Sequence, residues 1–288
     1  IDAMCVDAAT EIALCVEIMH KTSIIIDDFI DEDEKRHNKT AFHKQYSSEE
    51  AVIFSIYFLG KAFQKMHKLS AQYPVLNNVS MGLFSQTLCS MADGCLQELT
   101  LTADSRYDIR KISNIISLET SALIKNSALL GFIISRTPTD TQIKLLNDMG
   151  DKVGYLFQAM NDLEPFSSYE NISFHKGSPN MDFERSRKNL IIAYIYGMCN
   201  SKEKQQLLEL KNTPETVPHI FQLYKKYDIF NVVRKDLKDV ENQVDSLLNQ
   251  LSGQQINKQC LDEFHIFFSD IMKIAKKRLF TNTADKID

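Results

Sequence analysis

Asp27 and Asp31 stand four residues apart, so on a helix they share one face, with Asp28 beside them. Like charges at that spacing repel by about 0.2–0.5 kcal/mol. Glu32, Asp33 and Glu34 follow, and the chain then turns basic at Lys35 and Arg36. Two accounts fit this pattern. In one, Lys35 and Arg36 neutralise a solvated helix end. In the other, the carboxylates are the oxygen ligands that a hard cation such as Mg²⁺ takes. The apolar run around them, Ile24, Ile25, Ile26 and Ile30, favours a buried helix whose acids face a cavity.

A second stretch, "GYLFQAMNDLEPF", puts Asn161 and Asp162 toward the end of another long helix, behind Gly154, Phe157 and Gln158. Two acidic helix ends facing one cavity would hold Mg²⁺ against a diphosphate. Arg36, Lys176 and Lys188 offer cations for the phosphate oxygens. Together these parts suit one task, which is pulling diphosphate off an organic group inside an apolar pocket. Plainer readings stand beside this one. Asn161 also suits a helix cap, and Arg36 a salt bridge to Glu32 or Asp33. His20, His37 and His43 read as structural or surface residues, since nothing near them makes a nucleophile pair. "KIAKKR" reads as a solvated face.

The elements that must position these residues are helices. Helical periodicity runs over 4–32, 48–69, 78–102, 108–135, 139–164, 183–199, 202–211, 215–227, 230–252 and 257–279, and alternating strand patterns are nearly absent. "TPTDTQ" and "NTPET" offer caps near 140 and 215. "NLIIAYIYGM" is apolar all round, which places it inside a large all-α bundle of about ten helices around a central cavity. No window of the 288 residues reads as a linker, so a single domain over 1–288 is expected. The net charge of −5 gives no reason to expect a nucleic-acid partner. No apolar run reaches membrane-spanning length. Six scattered cysteines without CxxC spacing argue against zinc or a disulfide framework and suit a reducing cytoplasm. With no initiator Met, the chain is expected to lack a native N-terminal segment.

Read as whole motifs, the chain resembles the trans-prenyltransferases, the isoprenyl diphosphate synthases of the all-helical isoprenoid synthase fold. "EIMHKTSIIIDDFIDEDEKRHNKTAFHKQY" is similar to that family's first aspartate-rich segment, with DDxxD intact at Asp27, Asp28 and Asp31. "GYLFQAMND" is similar to its G-x-x-F-Q-x-x-D-D, with Asn161 in place of the first aspartate. "DFERSRKNL" is similar to its lysine-bearing segment, with Lys188 on the lysine, and "MADGCLQEL" to its G-Q-x-x-D helix.

The resemblance implies a homodimeric, Mg²⁺-dependent transferase of isoprenoid biosynthesis. Asp27, Asp28, Asp31, Asn161 and Asp162 would gather about three metal ions. Arg36, Lys176 and Lys188 would contact the allylic diphosphate, Gln158 would lie beside the reacting carbon, and Gln158 and Lys176 would be the catalytic residues. Thr22 and Ser23, one helical turn before the acids, would line the prenyl pocket. Both are small, which leaves room for a tail of about fifteen to twenty carbons.

The chain also departs from the family pattern. His37 stands where the second arginine grips isopentenyl diphosphate. Glu119-Thr120 replaces Lys-Thr, and Pro165 replaces the last aspartate of the second motif and must end or bend its helix. The N-terminal G-G-K-x-x-R-P is absent. These departures favour transfer of the prenyl group to an acceptor other than isopentenyl diphosphate. The alternatives are an ordinary chain-elongating (geranylgeranyl-type) synthase, a class I terpene synthase or cyclase, and a non-catalytic subunit.

Overall fold

The computed structural model describes residues 3–102, 105–135, 137–167, 188–210, 213, 215–254, 262–263, 266 and 269–270. Among them run α1 (Ala3–Ile30), β1 (Lys35–Arg36), β2 (Lys39–Thr40), α2 (Phe42–Gln45), α3 (Ser48–Gln72), α4 (Asn77–Leu99) and α5 (Ile109–Ile116). A π-helical turn (Ser117–Ser121) leads into α6 (Ala122–Ser135) and α7 (Asp140–Ser167). The order closes with α8 (Leu190–Met198), α9 (Ser201–Glu209), α10 (Thr216–Lys226) and α11 (Ile229–Ser252). The all-α reading therefore holds. The helix expected over 257–279 and the start of that over 183–199 lie largely outside the described residues.

The described residues form two compact units. One comprises those of Ile1–Ala92 and Ala122–Gly150. The other comprises those of Asp93–Ser121, Asp151–Ile172 and Pro179–Asp288.

In the first unit α1 packs on α2, α3 and α6. The contact follows from spacing: Ala8, Ile12, Cys15 and Met19 recur every three or four residues and are buried. Opposite them α3 buries Ala51, Ser55, Ala62, Met66 and Leu69, small residues at one end and large at the other. Each large apolar side chain fully buried here contributes about 1.5–3 kcal/mol. Ser47 caps α3 by accepting the Glu50 N–H at 3.1 Å. Asn126 of α6 donates to the Thr87 hydroxyl of α4 at 2.8 Å.

In the second unit α8 packs against α5, α10 and α11. Its Leu190, Ile191, Ile192, Ala193 and Ile195 are all buried, as its all-round apolar sequence requires. The phenols of Tyr155 (α7) and Tyr194 (α8) both lie on Asp236 of α11, at 2.9 and 2.6 Å. Burial, with the Asp236 carboxylate, holds both phenols well above their usual range, and the Tyr194 hydroxyl raises Tyr155 further.

The expected cap near 140 is present: Thr139 and Gln142 exchange hydrogen bonds at 2.9 and 3.3 Å. At α10 Glu215 makes no side-chain cap, and the Thr213 N–H donates to the Thr216 hydroxyl instead. Nor does Pro165 end α7, which runs on to Ser167. A proline in the last turn of a helix removes only one of its closing bonds.

At the start of α9, Asn200 and Glu203 form a capping box, and Glu203 also takes the Lys226 ammonium and the Tyr227 hydroxyl. Lys226, then Tyr227 and the Asn200 N–H, lower its pKa from 4.5 to about 2. A carboxylate depressed in this way stabilises the fold fully above the unfolded value and loses that contribution as pH falls through the folded one. Urea midpoints measured from pH 5 to 2 are expected to fall more steeply for wild type than for Glu203→Gln. Parallel curves would show that Glu203 carries no such linkage.

Candidate functional site

The first acidic cluster closes α1. Asp28 and Phe29 lie in its last turn, where the Asp33 N–H reaches back to the Asp28 carbonyl at 2.9 Å and the Glu32 N–H to that of Phe29 at 3.1 Å. Glu32 sits between them at φ 53°. This is a Schellman ending with glutamate where glycine is usual. The chain then makes the hairpin β1–β2, pairing Lys35 with Thr40 and Arg36 with Lys39. His37 and Asn38, at φ 51° and 62°, form its two-residue turn, which needs both central residues left-handed. Sequence reading shows this break only as "HNKT".

The hairpin brings Arg36 back onto the helix end. Its Nε donates to Asp28 Oδ1 at 2.8 Å, a terminal nitrogen also meets Asp28, and the same nitrogen reaches Asp27 Oδ2 at 3.2 Å. Asp33 stands 3.9 Å away. Burial alone would pull the Arg36 pKa down, but the bonds and charge of Asp28, then Asp27 and Asp33, hold it above its usual value. Asp28 is 3% exposed and committed to Arg36, whereas the Asp27 side chain is 56% exposed and Asp31 is half-buried.

The three acids thus divide. Asp28 is the buried counter-ion of Arg36, whereas Asp27 meets the same guanidinium with more than half of its side chain exposed and Asp31 is half-buried. Those two offer the charged oxygens a hard divalent cation takes, so the residues present fit Mg²⁺. Among the described residues no group of three or more His, Cys, Asp or Glu side chains is gathered closely enough to hold a metal ion.

One turn earlier, Thr22 is 2% exposed and its hydroxyl donates to the Ile18 and Met19 carbonyls, both at 2.9 Å. Ser23 donates to the His20 carbonyl at 2.8 Å but stays half-buried, so of the pair Ser23 keeps surface.

The second cluster belongs to the other unit and is built around the π-helical turn. Gly94 of α4 and Gly154 of α7 allow that turn to come close. A Cβ on Gly94 would lie 2.6 Å from Glu119 Cγ, and one on Gly154 would lie 2.7 Å from Ser121 Cα. The turn's polar groups then reach α7: Ser117 donates to Asp151 at 2.7 Å, and Thr120 to Gln158 Oε1 at 3.1 Å. Gln158 Nε2 donates in turn to Asp162 Oδ1 at 2.7 Å, and Asp162 Oδ2 accepts the Leu190 N–H at 2.7 Å. Asp162 is 4% exposed, and Asn161 is half-buried beside it.

Lys188, expected on a diphosphate, ion-pairs with both Glu98 and Glu119. Burial alone would lower its pKa, but the charges of Glu98 and Glu119 raise it above the usual lysine range. Sequence reading noted Glu119 as a departure and missed Glu98 as a site residue. Opposite charge at both positions flanking one lysine is a signal visible only once the π-helical turn and α4 are known to adjoin. Lys176 lies outside the described residues.

A family model described as polyprenyl synthetase matches residues 2–227. The geranylgeranyl diphosphate synthase of Sulfolobus acidocaldarius is 24% identical over 247 residues, 83% of this chain and 73% of that protein. The short chain isoprenyl diphosphate synthase of Methanothermobacter thermautotrophicus is 23% identical over 229 residues, 76% of this chain and 66% of that protein. Among solved structures, the farnesyl diphosphate synthase of T. brucei superposes with a TM-score of 0.78 at 14% identity. The match covers 96% of this chain and 97% of that one.

Proposed function

The chain belongs to the polyprenyl synthetase family, and on that premise we propose that it is a chain-elongating isoprenyl diphosphate synthase dependent on Mg²⁺. The proposed reaction breaks the C–O bond of an allylic diphosphate, with the electron pair leaving on the diphosphate. The allylic carbon bonds to the terminal carbon of isopentenyl diphosphate, a proton is lost, and the product is one isoprene unit longer.

This revises the expectation of a different acceptor. His37 and Glu119 suggested that the elongation step had been lost, but the relatives it resembles are named as synthases that make prenyl diphosphates. The observation that carries the reading is the make-up of the first cluster, with Asp27 and Asp31 one turn apart at a helix end, the Asp27 side chain 56% exposed, beside the buried Arg36–Asp28 pair.

When bound, Mg²⁺ neutralises charge on the departing diphosphate. Asp27 and Asp31 would hold it. Arg36 fixes Asp28 and places a cation beside them. Gln158 is held in one amide orientation by Thr120 and Asp162. Ser23, four residues before Asp27 on the same face, would line the path of the tail. The proposal includes a homodimer in the cytoplasm. Ile53, Ile56 and Tyr57 on α3 are more than half exposed, an apolar face of the kind that subunits bury. No described helix is long and apolar enough to cross a membrane.

The test is incubation with Mg²⁺ and a ladder of allylic diphosphates, with and without isopentenyl diphosphate, read by mass spectrometry. Longer diphosphates are expected, from allylic substrates of about fifteen to twenty carbons in preference to ten, since each buried CH₂ contributes about 0.8 kcal/mol. Hydrocarbons or alcohols with no isopentenyl diphosphate consumed would overturn the reading. Ser23→Phe is expected to shorten the preferred substrate. An unchanged preference would mean that the tail does not pass this face of α1.

A further inference from the structure

We propose that Asp162 is a positioning residue that joins α7 to the start of α8, and that divalent metal enters this chain through the first acidic cluster rather than the second. The inference rests on the metal assignment made above for Asp27 and Asp31, and it departs from the ligand role that the aspartate-rich resemblance implies for Asp162.

Both carboxylate oxygens of Asp162 are in use. Oδ2 accepts the Leu190 N–H at 2.7 Å and Oδ1 the Gln158 amide at 2.7 Å. Leu190 is the first residue of α8 and is wholly buried. A carboxylate there answers both an orphan amide and the positive end of the helix dipole. The neighbouring residues are held in the same way. The Lys188 N–H donates to Glu98 Oε1 at 2.9 Å, Asn189 Nδ2 lies 3.5 Å from the Asp162 carbonyl, and the Asn189 side chain accepts from Ile191 and Ile192 at 3.0 and 3.1 Å. Three consecutive residues, 188 to 190, are therefore fastened to α4 and α7.

Turning Asp162 toward a metal would leave the Leu190 amide without its acceptor in a site closed to water. It would also release Gln158 Nε2 and leave that amide held only at Oε1, by the Thr120 hydroxyl. The two residues that would complete a metal site there do not help. Asn161 is a neutral amide, a weaker ligand for a hard cation than carboxylate, and position 165 is proline. Asp162 thus acts on the reaction through the orientation of Gln158.

Two measurements separate a joint from a ligand. Mn²⁺ bound in the presence of inorganic pyrophosphate is counted by electron paramagnetic resonance for wild type, Asp162→Asn and Asp27→Asn. Hydrogen exchange at Leu190–Ile192 is followed in the same proteins. Asp162→Asn is expected to bind as many Mn²⁺ ions as wild type while exchange at Leu190 rises at least tenfold. A lower Mn²⁺ count in Asp162→Asn, or unchanged exchange at Leu190, overturns the joint.

A third arm needs no variant to fold. In wild type, adding Mg²⁺ and pyrophosphate is expected to leave Leu190 exchange unaccelerated, and acceleration there would show the carboxylate leaving the amide for the metal. Asp27→Asn is expected to lose Mn²⁺. A full count in that variant overturns the assignment of metal to the first cluster, and with it the metal reading under the proposed function, whatever Asp162 does.

Discussion

Asp27→Ala and Asp31→Ala are each expected to lower diphosphate release by about a thousandfold or more with the fold intact. Each removes a charged oxygen from the metal that would neutralise the leaving group, and a loss of about 4 kcal/mol of transition-state stabilisation corresponds to that factor. Asp27 is largely exposed, so its removal leaves no buried group without a partner. Asp28→Ala should behave differently. It strips a buried partner from Arg36 and is expected to cost about 3 kcal/mol of stability as well as activity. Turnover assayed with Mg²⁺ and with EDTA, beside urea melts of the three variants, separates the roles. Activity of Asp27→Ala near wild type, or wild-type activity undiminished in EDTA, would remove the metal assignment.

The second large effect is at Lys188. Its ammonium lies between Glu98 and Glu119, and all three side chains are at least four-fifths buried. Lys188→Met would leave two buried carboxylates facing each other with no cation between them. Breaking a buried ion pair from one side costs about 3–5 kcal/mol, because the remaining charge stays desolvated. A fall in the urea midpoint of that size is expected. The double change Glu119→Lys with Lys188→Glu keeps the same charges in the cluster and is expected to recover at least half of the loss. If Lys188→Met melts within 1 kcal/mol of wild type, or the double variant recovers nothing, the pairing is not what stabilises this part of the unit. Glu119→Lys by itself, which restores the family's lysine, should destabilise the chain, since two ammonium groups would then share Glu98.

The helical spans were legible because apolar spacing is a local property. α3, α4, α7 and α11 begin and end within a few residues of the spans that periodicity marks out, and α3 and α7 carry their starting caps in adjacent sequence, at Ser47 and at Thr139 with Gln142. The continuous helix expected over 108–135 is interrupted by a π-helical turn. That turn is accommodated by Gly94 and Gly154, residues of other helices, and no local pattern announces such a fit. Tyr155, Tyr194 and Asp236 read separately as ordinary residues of three helices, and only their packing makes them one hydrogen-bonded group.

By itself the sequence determined which residue types stand where: DDxxD at the end of an apolar helix, N-D near the end of another, and lysine two residues before Leu190. Those are statements of type and spacing along one helix, where a rise of 1.5 Å per residue fixes geometry. What each charge is committed to was decided by the tertiary structure. Arg36 returns to Asp28 because a two-residue turn with His37 and Asn38 left-handed reverses the chain there. Lys188 belongs to Glu98 and Glu119, and Asp162 to the Leu190 amide, because burial makes an unpaired charge or N–H costlier than any pairing within reach. Those partners lie 90, 69 and 28 residues away along the chain, a separation over which spacing carries no information.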